Sequence, residues 1–373
     1  MKPPITLWLL AALVLTLLAG CTGRQFVAAS GWSGVAVGGD MVYVGTRSGR
    51  VLALDTRSGN PRFAFPPEGQ DPLEGLYGTP ALVDGVLYVG SYDSKTKDKH
   101  PKGKVFALNA SDLSEKWKYP NDVTGIDRIV GGITVTQGGL VLFGASDGFV
   151  RALRASNGFK EWEFKTDKPV WSTPTVAGDT VYVGSLDHNL YALSLASGEP
   201  MWASPFSAGG AIVSTPAVAG DKVFVGSFDR KLYAVDAATG REAWRFQGEG
   251  WFWSSPVSQG KRVYAADTKG VLYALDMGTG REVWRSNLEK PVLSSPVIVE
   301  GNLVVATDGG IIYVLSLATG AQVSSYNVGA QVQAPLTANG QTVYVNAMDK
   351  RVWALRMAGR QEKVWETNTD PKK

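Results

Sequence analysis

One phrase recurs through this chain at a near-constant interval. Residues 272–286 read LYALDMGTGREVWRS, residues 232–246 read LYAVDAATGREAWRF, and residues 190–204 read LYALSLASGEPMWAS. The small residue at its third position falls at Ala53, Ala107, Ala152, Ala192, Ala234, Ala274, Val314 and Ala354, with successive spacings of 54, 45, 40, 42, 40, 40 and 40. A repeat of this length is one supersecondary unit that cannot bury its apolar faces alone and is completed by its neighbours. Two other phrases keep step with it. One is a Ser/Thr-Pro start, as in STPTVA at 172–177 and SSPVIV at 294–299; the other is an apolar run ending in small residues, as in VYVGT at 42–46 and VFVGS at 223–227.

Each unit thus carries four short apolar or alternating runs, with Gly, Asp, Asn and Ser clustered between them, which is strand and hairpin chemistry. No helical stripe runs through the repeats. Parallel β-helices have shorter coils, and leucine-rich repeats need a helical turn in each unit. The pattern predicts an all-β chain: an eight-bladed β-propeller of four-stranded antiparallel blades over residues 32–373.

The phrase has a physical reading. Along LYALD, Leu272, Ala274 and Asp276 face one way and Tyr273 and Leu275 the other. Ala274 is expected to be small because stacked sheets approach closely near the hub. Asp276 is expected to cap its own turn, and Gly280 to supply a positive φ. Ten residues after Ala274 stands Trp284, and Phe63, Trp117, Trp162, Trp202 and Trp244 hold the equivalent place. A Trp brings about 200 Å² of largely apolar surface, so these six residues are expected to dock on the adjacent blade. Ser324 and Val364 stand at this place in units 7 and 8, where Trp365 lies one residue late.

These residues resemble the quinoprotein-type (PQQ-like) propeller repeat, A-x-D-x-x-T-G-x-x-x-W, over essentially the whole chain after its first segment. The resemblance implies the propeller fold. It does not by itself imply a reaction, because that class holds dehydrogenases and non-catalytic proteins alike.

The first segment, MKPPITLWLLAALVLTLLAGC, has one positive charge at Lys2 and an apolar stretch from Ile5 to Leu18, too short to span a bilayer comfortably. Residues 1–20 read as an export signal and residues 21–31 as a tether. Leu18-Ala19-Gly20-Cys21 resembles a bacterial lipobox, which implies a lipid on Cys21 and anchoring to a membrane. By the same resemblance, Thr22 in place of Asp favours the outer membrane, facing the periplasm, in a two-membrane bacterium; otherwise the anchor lies on the outer face of the cytoplasmic membrane. Cys21 is the single cysteine, so no internal disulfide forms. Basic residues number 37 against 34 acidic ones, a balance that calls for no nucleic acid.

Little in the chain suggests catalysis. His100 and His188 sit in separate turns with no grouping that would bind a metal. There is no nucleophile elbow and no phosphate loop. Asp147, Asp187, Asp229, Asp308 and Asp349 recur at one hairpin position, as turn residues do. Resemblance to the quinoprotein dehydrogenases would imply an adjacent cysteine pair, which this chain lacks, and a calcium site with a catalytic Asp. No PQQ or other cofactor, no metal and no enzymatic activity are therefore expected.

The lipobox together with eight such repeats resembles the BamB family of outer-membrane assembly lipoproteins. That resemblance implies a non-catalytic, monomeric scaffold with a protein partner in the cell envelope, such as an outer-membrane barrel assembly protein. The connection DVTGIDRIVGG at 122–132, with Asp127 and Arg128, is the candidate partner loop. A second candidate is the position just before the Ser/Thr-Pro start, held by Trp32, Tyr77, Val130, Trp171, Val213, Trp253, Leu293 and Val332. Trp32, Tyr77, Trp171, Trp253 and the nearby Trp251 form the candidate aromatic rim, read either as partner or ligand anchors or as filler of the hub. The insertion 91–104, with five lysines, is a solvated hairpin tip or a docking arm for an acidic partner. The alternative to a scaffold is a ligand-binding or quinone-dependent redox propeller that uses the channel mouth.

Overall fold

The computed structural model describes residues 32–73, 75–92, 103–121, 126–357 and 362–370. The export signal, the tether with Cys21, most of the Lys-rich insertion with His100, and part of the 122–132 connection lie outside the described residues.

Eight four-stranded antiparallel sheets follow one another along the chain, over residues 35–65, 81–119, 134–165, 175–207, 217–247, 257–287, 297–327 and 337–368. Each pairs its strands in sequence order, so every blade is one continuous piece of chain. The second and third strands are apolar on both faces and buried on both, as in Leu272, Tyr273, Ala274 and Leu275. They lie between two neighbouring blades, which is why these strands show continuous rather than alternating apolar character.

The repeated phrase is a plug and socket between blades. Ala274 pairs with Tyr264 on one side and Trp284 on the other, all on one face of the sheet. Over this small residue the two rings meet, with centroids 5.8 Å apart. The small residue is thus set by an aromatic pair crossing it rather than by crowding at the hub, a correction to the sequence expectation. The same pair recurs as Tyr88–Trp117, Tyr182–Trp202, Phe224–Trp244 and Tyr344–Trp365, at 5.7–6.0 Å.

From there each indole reaches the next blade. Its Nε1 donates to one turn carbonyl: Trp117 to Ala155, Trp162 to Leu195, Trp202 to Ala237, Trp244 to Met277 and Trp284 to Leu317, at 2.8–3.2 Å. The receiving turn is built by the Asp and Thr of the phrase, since the Asp276 carboxylate accepts from both the backbone N–H and the hydroxyl of Thr279 at 2.8 Å. Its glycine lies under the ring. A Cβ on Gly280 would stand 2.5 Å from the Trp244 ring, and φ there is +70°.

Two blades depart from the expected alignment. In blade 8 the outer hairpin is one residue longer, so Trp365 rather than Val364 pairs with Ala354 and is buried. In blade 1, Phe63 occupies the Trp position but is 38% exposed, so the expectation that it docks like the tryptophans is corrected. The reason lies in blade 2. There Leu113 replaces the socket glycine, keeps a positive φ of 60°, and buries its own side chain where the other interfaces place an indole. The Tyr43 hydroxyl takes the turn carbonyl of Ala110 at 2.8 Å.

A second aromatic contact went unnoticed in the sequence. Beyond the Trp, by two residues in most blades and four in blade 4, an outer-strand ring packs edge-on against the third strand of the next blade, as in Phe164–Tyr191, Phe206–Tyr233 and Phe246–Tyr273, at 5.0–5.3 Å. Blade 7 has Ser324 in place of Trp but keeps this contact as Tyr326–Trp353 at 6.1 Å.

Candidate functional site: the mouth of the central channel

The Ser/Thr-Pro start builds the hub with two hydroxyls. The first is buried and locks the innermost strand to the second: Ser172 Oγ donates to the Gly184 carbonyl at 2.9 Å and accepts its N–H at 2.8 Å, and Ser214 does the same with Gly226. The second links blades, since Thr173, Ser255 and Ser295 accept the backbone N–H of Gly132, Thr215 and Ser255 at 2.8–3.0 Å. Blades 2, 4, 5, 6 and 7 therefore place a hydroxyl at the channel, from Thr79, Thr173, Thr215, Ser255 and Ser295, while Gly34, Gly132 and Pro335 hold that place in the others.

Above these positions lies the residue before the Ser/Thr-Pro start. Trp32, Tyr77, Val130, Trp171, Val213, Trp253 and Leu293 line one pocket, together with the hydroxyl-bearing Thr79, Thr173, Thr215, Ser255 and Ser295. Blade 8 contributes Gln333, not Val332. Val332 is buried in the core, one residue out of the register assigned from sequence, because blade 8 reads Gln333-Ala334-Pro335 where blade 7 reads Leu293-Ser294-Ser295.

The rings at the mouth are held from behind. Trp32 packs edge-on against the buried Tyr77, with centroids 5.0 Å apart. Trp171 donates its Nε1–H to Ser146 Oγ at 3.0 Å. Phe228 lies between two indoles, with Trp251 at 5.3 Å and 18° on one side and Trp253 at 5.5 Å and 22° on the other. Trp251 is outside the pocket lining and 44% exposed on the rim. Phe228 was missed in the sequence; an aromatic ring in the polar turn SFDRK was its signal.

The fold also brings the partner-loop candidate to this face. The Arg128 carbonyl accepts from Ser146 N–H, as the Trp251 carbonyl accepts from Thr268 N–H, so the two residues hold equivalent positions in different blades. The Arg128 guanidinium lies over the Tyr92 ring, 5.1 Å from its centroid, and its buried Nε forms an ion pair with Asp127 Oδ1 at 4.0 Å. Asp127 turns its carboxylate back onto the Arg128 backbone N–H at 2.7 Å. Burial raises the Tyr77 phenol to about 12, with Tyr92 adding to the shift and Arg128 opposing it.

The repeated aspartates act locally. Asp147, Asp187, Asp229 and Asp349 each accept the N–H two residues on. Asp308 sits one place nearer the mouth and holds Gln331 and Gln333 at 3.2 and 3.1 Å. His188 is a turn residue with φ 77°. Among the described residues no group of three or more His, Cys, Asp or Glu is placed to hold a metal ion.

Eight such blades around an aromatic-mouthed channel define a PQQ-like β-propeller. A family model described as outer membrane protein assembly factor BamB matches residues 22–208, 187–285, 247–323 and 268–373, and the chain belongs to that family. BamB of Moranella endobia is 26% identical over 200 residues, 51% of this chain and 48% of that protein. The quinoprotein alcohol dehydrogenase PedH of Pseudomonas putida is 30% identical over 95 residues, 25% of this chain and 15% of that enzyme. The crystal structure of BamB from Moraxella catarrhalis superposes with a TM-score of 0.68 at 20% identity, covering 88% of this chain and 94% of that one, a likeness of fold. The chain spans about half the length of the curated BamB relatives it matches.

Proposed function

We propose that this protein is a non-catalytic scaffold of the bacterial cell envelope, anchored through a lipid on Cys21. It serves outer-membrane protein assembly by docking a barrel assembly protein on its channel-mouth face. In a two-membrane bacterium it acts as a monomer at the outer membrane, facing the periplasm. The observation that carries the docking reading is Trp251, exposed on the rim and stacked on Phe228, with Arg128 at the equivalent position of another blade on the same face. Half-exposed aromatic rings and arginine are the residues that anchor protein interfaces. Family membership supports the assembly role, and the names of the relatives supply the class of partner.

Quinone chemistry is no part of this reading. PQQ is a tricarboxylate, and none of the side chains lining the channel-mouth pocket is charged, so its carboxylates would lose hydration there without a counter-charge.

The test is recovery of a barrel assembly protein from solubilised membranes. Trp251→Ala and Arg128→Ala are expected to lower recovery at least tenfold, about 1.4 kcal/mol, with little change in melting. Recovery equal to that of the parent chain in both variants refutes docking on this face. Cys21→Ser is expected to move the protein out of the membrane fraction; continued tight membrane association refutes the lipid anchor.

A further inference from the structure

The channel-mouth pocket joins three properties that docking on the outer rim does not use. Its lining carries no charged side chain. Its tryptophan walls are held in place, Trp32 by Tyr77, Trp171 by Ser146 and Trp253 by Phe228. Its floor has spare hydrogen-bonding capacity. Thr173, Ser255 and Ser295 accept from the neighbouring backbone but donate to no group among the described residues, and the hydroxyls of Thr79 and Thr215 have no such partner at all.

Each property constrains a ligand. A charged group would give up its hydration without a counter-charge. A purely apolar group would cover the floor hydroxyls and leave them unpaired, at a cost of about 1–3 kcal/mol for each buried group. The rigid indole faces favour a ligand with flat C–H surfaces, and because they are already positioned they lose little freedom on binding.

We propose that the channel-mouth pocket is a binding site for an uncharged oligosaccharide. A pyranose ring lays its C–H face on Trp171 or Trp253, and its hydroxyls accept from and donate to the floor. The site is independent of the partner reading, because it uses the pocket wall and floor rather than Trp251 and Arg128.

The experiment titrates the purified full chain with three neutral trisaccharides, triacetylchitotriose, cellotriose and maltotriose, following tryptophan fluorescence. At least one is expected to give a saturable change that added sodium chloride leaves intact. Trp171→Ala or Trp253→Ala, whichever ring carries the sugar, is expected to weaken it by about tenfold or more. If neither variant folds, saturation-transfer NMR on the parent chain decides, and the sugar C–H protons are expected to receive saturation from indole protons. The proposal is overturned if none of the three binds saturably, if binding ignores both Trp171→Ala and Trp253→Ala in folded variants, or if a blocked, uncharged triproline peptide binds where the sugars do not. Partner recovery from membranes is a separate measurement, so either reading can fail alone.

Discussion

The indole Nε1 of Trp365 donates to the carbonyl of Thr56 at 2.8 Å, joining the last blade to the first. Among the described residues no strand is shared between the first and last blades, and side chains join them. Thr367 Oγ1 donates to the Gly59 carbonyl at 2.7 Å on the outside, and Thr337 Oγ1 to the Val35 carbonyl at 2.6 Å at the hub. The joint between the termini therefore uses the same indole plug as the interior joints.

Trp365→Ala is expected to cost about 3–5 kcal/mol, the range for deleting a large buried ring. Trp365→Phe keeps most of the apolar contact and loses the hydrogen bond, so it should cost nearer about 1 kcal/mol. Denaturant unfolding separates the two, and equal losses would show that the hydrogen bond, not the ring, closes the structure.

The socket glycine and its indole should behave as one unit. Gly280→Ala places a methyl against the Trp244 ring and forces alanine into the left-handed region, which alone costs about 1–2 kcal/mol. In a Trp244→Ala background the clash disappears and only the backbone cost remains. A double-mutant cycle should therefore show coupling; simple additivity would place the Trp244 ring elsewhere.

The first interface shows the reverse substitution. Leu113→Gly removes a buried side chain and should cost about 2–5 kcal/mol. Adding Phe63→Trp to it recreates the regular plug and socket and should recover part of the loss. No recovery in thermal melts would show that the outer strand of blade 1 cannot deliver an indole to that turn.

Acid should loosen the sockets. Hydrogen bonds from the Thr239 and Thr279 hydroxyls, then from their backbone N–H groups, lower the pKa of Asp236 and Asp276 from the ordinary 3.8. The Arg62 side chain and then Ser58 hold Asp55 well below the usual carboxylate range. A depressed carboxylate contributes stability that is fully present above its ordinary pKa and is lost as pH falls through the folded value. The melting midpoint should therefore gain no acid-side loss from these groups until about pH 4 and fall below it. Asp276→Asn should lessen that fall, and an undiminished slope in this variant would assign it to other carboxylates.

The sequence by itself determined the number of blades, their strand content and the turns between them. Those are local properties, repeated eight times in the alternation of apolar runs with Gly and Asp. It also located the tryptophan plugs of five regular blades, because a large ring at a fixed distance from a small residue has one place to go.

Tertiary structure decided what depends on the neighbouring blade. Phe63 looks like another plug until Leu113, fifty residues on in the next blade, is seen filling its socket. Trp365 looks displaced until its longer hairpin restores the pairing with Ala354. Phe228 reads as a turn residue until the ring of blades sets it between Trp251 and Trp253. The mouth itself exists only after closure: its walls come from residues about forty positions apart, brought together because every blade presents the same strand start to one axis.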